Sequence, residues 1–109
     1  MNHPIKNSQV VGIDLGTTNT AMAFYDDLGK PKVIPNLDGE MITPSIVYFG
    51  PDLKEVLVGT AARNMMMLEP ARTLKEIKRD VGTDKVYFEE GGKEITPELA
   101  QAQILRYLR

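Results

Sequence analysis

The ten residues VGIDLGTTNT, numbered 11–20, decide the fold class of this chain. An apolar run interrupted by Gly12 and Asp14 leads into residues 16–19 (GTTN), and a second run covers residues 20–25. This pattern predicts a strand, a tight turn and a second strand. The carboxylate of Asp14 then lies beside a turn whose backbone N–H groups and hydroxyls can face one anion.

The residues of this turn allow two interpretations. Asp14 can hold a magnesium ion through water, and Gly16 lets the backbone approach a phosphate closely. Three further side chains supply donors: Thr17, Thr18 and Asn19. The alternative is an ordinary hairpin turn in which Asp14 caps the backbone, since short Gly/Thr turns are common. The turn is not a Walker motif, because no G-K-[ST] follows it.

Short strands continue after this hairpin. Residues 32–34 are predicted to complete an antiparallel meander over residues 9–35. Residues 36–44 are rich in Asn, Asp, Gly, Thr and Pro and predict a loop. A further strand pair is expected at residues 45–49 and 55–58.

Helix signals follow the second strand pair. Thr60 is predicted to cap a helix over residues 61–68, which Pro70 ends. Residues 73–76 (TLKE) match a capping box for another helix, which Gly82 ends. Three residues at i, i+3 and i+7 form the apolar stripe of that helix: Leu74, Ile77 and Val81. Of the successive methionines Met65, Met66 and Met67, at least one is expected to pack inward.

The last quarter of the chain predicts a hairpin and a helix. Residues 91–92 (Gly-Gly) join two candidate strands, residues 85–88 and 93–95. Thr96 and Pro97 then cap and open a helix. Its apolar face consists of Ala100, Ile104, Tyr107 and Leu108. No glycine or proline ends this pattern, which predicts that the native sequence continues.

Composition limits the classes of function. The 109 residues are 42% apolar and 26% charged, as in one soluble globular unit, and the net charge of -2 favours neither nucleic acid nor an anionic membrane as a partner. Cysteine is absent, so the chain has no disulfide, thiolate metal site or thiol nucleophile. No signal peptide or membrane-spanning run occurs, which indicates a cytoplasmic setting. His3 lies in the polar leader without a spaced partner.

Residues 11–20 closely resemble the first phosphate motif of the heat-shock protein seventy family, within the actin and sugar-kinase superfamily. Further segments are similar to that family's later motifs in order and spacing: Asn36 with Gly39 and TPSIV at residues 43–47, Val58-Gly59 with Ala62, and IKR at residues 77–79 with Gly82. Sugar kinases share the first motif but not this series, so the chaperone branch is favoured. The resemblance covers about residues 9–109.

The resemblance implies an α/β fold of the ribonuclease-H-like, actin-like ATPase class. That fold has two lobes around a cleft, and this chain would supply an α+β piece of lobe I. Residues 1–8 would be a mobile leader and residues 9–35 the start of the lobe I core. Residues 36–96 would form the peripheral α/β subdomain, and residues 97–109 a helix that returns to lobe I.

The same resemblance implies roles for individual residues. Asp14 would lie at the metal and its water shell, and Lys78 matches the family's catalytic lysine. Four residues would cradle the β- and γ-phosphates: Gly16, Thr17, Thr18 and Asn19. Without the resemblance, Lys78 would be interpreted as a solvated cation on the outer face of the predicted helix. Arg79 stays outside the catalytic set.

For the parent protein, the resemblance implies a heat-shock molecular chaperone of the stress response. It would hydrolyse ATP to ADP with Mg²⁺, with K⁺ as a further candidate ion, and would act on client polypeptides with cochaperones. The chain alone is expected to be inactive and to self-associate through exposed apolar surface. Two alternatives remain open: a sugar or acid kinase, and a nonenzymatic scaffold of the same fold.

Departures from the family pattern concern other positions. Met41 stands where the family usually has a basic residue, and Lys75 and Glu76 replace a more apolar pair. The segment over residues 82–96 is short compared with most full-size members. These features indicate a shorter, divergent chaperone branch.

Overall fold

The computed structural model describes residues 11–108, which contain both strands and helices, as predicted for an α+β piece. The predicted leader, including His3, lies outside the described residues. The first sheet contains β1 Val11–Leu15, β2 Asn19–Tyr25, β3 Pro31–Ile34 and β4 Thr43–Pro44. The second contains β5 Val47–Phe49, β6 Val56–Val58 and β7 Thr73–Leu74, and a hairpin pairs β8 Phe88–Glu90 with β9 Lys93–Ile95. The α-helices are α1 Thr60–Asn64 and α2 Pro97–Leu108, and single 3₁₀ turns cover Pro51–Leu53, Pro70–Arg72 and Ile77–Asp80.

The predicted meander is confirmed. β2 lies antiparallel between β1 and β3, with Met22 opposite both Ile13 and Ile34. The loop predicted over residues 36–44 is wrong at its end, because Thr43 and Pro44 form β4 and pair with β2. A two-residue strand has almost no local pattern, so this pairing depends on how the distant chain folds back.

The helix predicted from the capping box at residues 73–76 is wrong. Thr73 and Leu74 form β7, which pairs antiparallel with β5, and the Thr73 hydroxyl donates to the carbonyl of Glu69 at 2.9 Å. Glu76 has a φ of 55°, and only one 3₁₀ turn follows it. Val81, the third residue of the predicted stripe, is 42% exposed and is not buried with Leu74 and Ile77. Long-range strand pairing has here overridden a local helix signal.

The helix predicted at residues 61–68 is shorter, and its predicted cap is wrong. Gly59, with a φ of 82°, precedes the first helical residue, Thr60. The Thr60 hydroxyl instead donates to the Glu40 carboxylate, at 3.0 and 2.9 Å from its two oxygens. Residues 65–68 form turns. Met65 and Met66 pack against a small buried cluster, which confirms that part of the methionine run points inward.

The final hairpin and helix are confirmed. Gly91 and Gly92 have φ values of 59° and 81°, as a two-residue turn between antiparallel strands requires. The first strand of this hairpin begins at Phe88, three residues later than predicted. The Thr96 hydroxyl accepts the N–H of Leu99 at 3.2 Å, and α2 buries Ala100, Ile104 and Leu108.

One apolar cluster joins the second sheet to α2. Its buried members are Val47, Phe49, Val58, Leu74, Ile77, Ile95, Ala100, Ile104 and Leu108. Leu15 and Met22 of the first sheet pack against this cluster. The strand that leads into the glycine-threonine turn is therefore attached to the main core at its last residue.

A partly buried ion pair joins the hairpin β8–β9 to the second sheet. The Arg72 guanidinium donates to the carbonyl of Gly50 at 3.0 Å and pairs with the Glu90 carboxylate. Its hydrogen bond to Glu90 is the main reason that the pKa of this carboxyl lies below its ordinary value. Within residues 11–108, no helix is long and apolar enough to cross a membrane.

Candidate phosphate-binding turn

The turn between β1 and β2 closes tightly at Gly16. Its N–H donates to the carbonyl of Asn19 at 3.0 Å, next to the paired residues Leu15 and Thr20. A Cβ atom at position 16 would lie 2.4 Å from the Asn19 carbonyl oxygen, closer than real Cβ contacts. Only glycine therefore fits this closure.

The donors of the turn are available to a ligand. Within residues 11–108, neither the N–H groups nor the hydroxyls of Thr17 and Thr18 donate a hydrogen bond. The Asn19 side chain makes none in the same range. Asp14 is exposed at the end of β1 and has no ion pair within the described residues. The structure thus brings together five of the six predicted site residues.

This donor set fits a metal-bound phosphate. The turn offers N–H and O–H donors to phosphate oxygens, and one carboxylate lies beside them. Among the described residues, no cluster of three or more acidic or histidine side chains could enclose a metal ion directly. A single carboxylate suits a magnesium ion that keeps most of its waters.

Two carbonyls of the turn accept hydrogen bonds from Ser45. The sequence placed this residue in the T-P-S segment but indicated no role for it. The Ser45 N–H donates to the carbonyl of Thr18 at 2.9 Å, and its hydroxyl donates to the carbonyl of Gly16 at 2.9 Å. The same hydroxyl lies 2.8 Å from the buried hydroxyl of Thr20. Spacing alone could not reveal these partners, since they lie 25 or more positions earlier in the chain.

The T-P-S segment is itself held by the motif at Asn36. The Asn36 side chain accepts the N–H groups of Asp38 and Glu40 at 2.9 and 3.0 Å, and it donates to the hydroxyl of Thr43 at 2.9 Å. Gly59 lies against Thr43, because a Cβ there would come 3.1 Å from the threonine methyl carbon. Segments that are far apart in the sequence thus meet behind the turn.

Lys78 lies on the 3₁₀ turn Ile77–Asp80 and is exposed, as predicted, although the predicted α-helix is absent. Its ammonium group has no ion pair within the described part of the chain, whereas Arg79 pairs with Glu76. Ile77 is 1% exposed and belongs to the cluster against which Leu15 packs. No hydrogen bond or ion pair joins Lys78 to the turn within residues 11–108.

An apolar groove of about 370 Å³ opens on the sheet beside Asp14. Ala21, Ala23 and Val33 line it, and Val33 is 48% exposed. β1 pairs only with β2, so its outer edge has no partner strand within residues 11–108. The first sheet therefore exposes apolar surface next to the candidate site.

Comparisons with known proteins match nearly the whole chain. The family model described as "Hsp70 protein" matches residues 10–106. The chaperone protein DnaK of Thermotoga neapolitana is 49% identical over 105 residues, which cover 95% of this chain and 17% of that protein. The DnaK proteins of Thermotoga petrophila and Thermosipho africanus are 48% and 45% identical over the same shares. The chain thus spans about one sixth of the length of these curated relatives.

Proposed function

The chain belongs to the Hsp70 family, and from that premise we propose that it supplies the first phosphate-binding turn of an ATP-hydrolysing molecular chaperone. The family has the actin-like ATPase fold, and this chain matches the N-terminal region of its nucleotide-binding domain. A sugar or acid kinase is not favoured, because the relatives are chaperones. The observation that carries the proposal is the closure at Gly16, which leaves the donors of the turn available.

In the proposed mechanism, the turn binds the β- and γ-phosphates of ATP. The N–H and hydroxyl donors of Thr17 and Thr18, with the Asn19 amide, hydrogen-bond to the phosphate oxygens. Asp14 would hold a magnesium ion through the water shell of that ion, and the ion would supply positive charge next to the phosphates. Because the closed turn holds its donors in advance, they need little reorganisation as charge develops during phosphoryl transfer.

Lys78 is the proposed catalytic group on the opposite side of the phosphates. Its ammonium is free of carboxylate partners in the described residues, so its charge is available to the γ-phosphate and the attacking water. The neighbouring Ile77 is buried in the core, so the backbone position from which the Lys78 side chain extends is fixed. Arg79 is less suited to this role because Glu76 pairs with it.

We extend the proposal to the parent protein. Its hydrolysis of ATP to ADP would switch a substrate-binding domain between states of different affinity for client polypeptides, with cochaperones as further partners. The named relatives support a chaperone, while K⁺ as an additional ion and a cytoplasmic location remain parts of the proposal. The lobe I core over residues 9–35, the peripheral subdomain over residues 36–96 and the returning helix at residues 97–109 are proposed on the same basis.

Refolding by the full-length protein tests this function. We expect a denatured client to regain activity with the protein, its cochaperones and ATP, and not with a non-hydrolysable ATP analogue. The physical reason is that the protein can pass repeatedly between its states of different client affinity only when ATP is hydrolysed. Equal recovery with ATP, with the analogue and without nucleotide would support the nonenzymatic scaffold instead.

The chain alone is expected not to bind ATP tightly. The turn by itself offers donors on one side of the phosphates only, and tight binding of a nucleotide requires a site that encloses most of its surface. Titration calorimetry of the chain with magnesium-ATP should therefore show no binding stronger than about 1 mM. Micromolar affinity would contradict this prediction.

We also propose that the isolated chain self-associates. Two features support this: the outer edge of β1 has no partner strand within the described residues, and the side chains of Ile13 and Val33 are 45% and 48% exposed. A strict monomer in sedimentation at high concentration would contradict it.

A further inference from the structure

We propose that Ser45 is a positioning residue for the phosphate-binding turn, an inference that rests on the proposed function. Ser45 hydrogen-bonds to two carbonyls of the turn, those of Gly16 and Thr18, each at 2.9 Å. These two carbonyls lie on either side of Thr17 in the chain. One residue from a distant segment thus holds the backbone on both sides of a predicted phosphate donor.

Because the peptide bond is planar, the hydrogen bond from Ser45 to the carbonyl of Gly16 also sets the direction of the Thr17 N–H. The carbonyl of Gly16 and the N–H of Thr17 belong to one trans peptide and point in opposite directions. Because the carbonyl points to the Ser45 hydroxyl, the N–H of Thr17 points away from Ser45. This N–H has no acceptor within the described residues, so it is available to a ligand.

The hydroxyl of Ser45 has a defined direction. A serine hydroxyl has one proton, and this proton is donated to the carbonyl of Gly16. The Thr20 hydroxyl, 2.8 Å away, is therefore the donor to Ser45 Oγ. The result is a buried chain of hydrogen bonds from Thr20 through Ser45 to Gly16, in which each bond polarises the next.

Ser45 is itself held rigidly. It is 3% exposed, and it directly follows β4, whose pairing with Asn19 and Thr20 sets its position beside the turn. The preceding Thr43 accepts a hydrogen bond from the buried Asn36. A positioning residue needs such support, because donors bind phosphate best when their geometry exists before the ligand arrives.

The test measures affinity for magnesium-ATP and for adenosine in the full-length protein. Adenosine lacks phosphates, so the ratio of the two affinities reports the phosphate-binding turn and not the general fold. In Ser45→Ala we expect this ratio to fall about 10-fold, because the turn loses its hydroxyl contact and the carbonyl of Gly16 loses its partner. The matched control is Thr73→Val. Thr73 is also buried in a strand, and its hydroxyl donates to the carbonyl oxygen of Glu69 at 2.9 Å, so this variant likewise removes a hydroxyl that is bonded to a carbonyl. The ratio should not change in the control.

The other outcomes separate the inference from the proposed function. An unchanged ratio in Ser45→Ala, or an equal fall in Thr73→Val, would overturn the positioning role. If Ser45→Ala does not fold, Ser45→Cys replaces it, and its weaker donor should still lower the ratio by a smaller factor. An unchanged ratio there would also overturn the role. A wild-type protein that binds ATP no more tightly than adenosine would instead overturn the proposed function.

Discussion

Replacement of Lys78 by alanine in the full-length protein is expected to lower single-turnover ATP hydrolysis by about 100- to 1,000-fold while leaving the affinity for magnesium-ATP nearly unchanged. The lysine is exposed and has no carboxylate partner within the described residues, so its removal leaves no buried charge unpaired. The expected loss is therefore one of transition-state stabilisation rather than of folding. Single-turnover kinetics and calorimetry on the same sample measure the two quantities.

Lys75→Ala is the matched control for this experiment. Lys75 is also exposed, lies three positions earlier, and precedes the 3₁₀ turn. Its removal changes the net charge equally, so it should leave hydrolysis close to that of the wild type. Unchanged hydrolysis in Lys78→Ala would contradict the catalytic role. A large loss of ATP affinity without a loss of single-turnover rate would contradict it as well, because it would make Lys78 a ground-state ligand.

Replacement of Gly16 by alanine is expected to lower kcat/KM for ATP by about 100-fold or more. The added Cβ would lie 2.4 Å from the Asn19 carbonyl oxygen, which is backbone and can move only if the turn opens. Opening the turn breaks the 3.0 Å hydrogen bond between Gly16 and Asn19 and displaces the neighbouring Thr17 and Thr18 donors. Steady-state kinetics measures the effect.

Gly12→Ala adds the same methyl group to the same hairpin without this clash. The nearest atom to its Cβ is the carbonyl oxygen of Ala23 at 3.9 Å, an ordinary contact. This variant should keep a kcat/KM near the wild-type value, and thermal unfolding of both variants checks that the fold survives. Wild-type kinetics in Gly16→Ala would show that the turn does not need its closed form.

Prediction from the sequence succeeded where the signals were local. The two apolar runs on either side of residues 16–19 predicted the first hairpin, and Gly91-Gly92 predicted the second. The cap at Thr96 predicted the start of α2, since its hydroxyl bonds to a backbone N–H only three residues later. In each case the residues that make the interaction are neighbours in the chain.

The TLKE segment shows why other parts could not be predicted. Its threonine and glutamate spacing matches a capping box, but Thr73 and Leu74 pair with β5 instead. The pairing places Leu74 in the main core, and this gain of apolar burial exceeds what one helix cap can contribute. A pattern of four residues contains no information about strand partners that lie 25 and 27 positions earlier in the chain.

The sequence by itself determined the family, and it predicted the chemistry of the turn and most of the candidate site: Asp14, Gly16, Thr17, Thr18, Asn19 and Lys78. These predictions follow from the residue types within short segments and from the order of the family motifs along the chain. Only the tertiary structure decided that Ser45 holds the carbonyls of Gly16 and Thr18, so that the donors of the turn face outward. The physical reason is that these hydrogen bonds join residues far apart in the chain, and they form only after the sheets have packed.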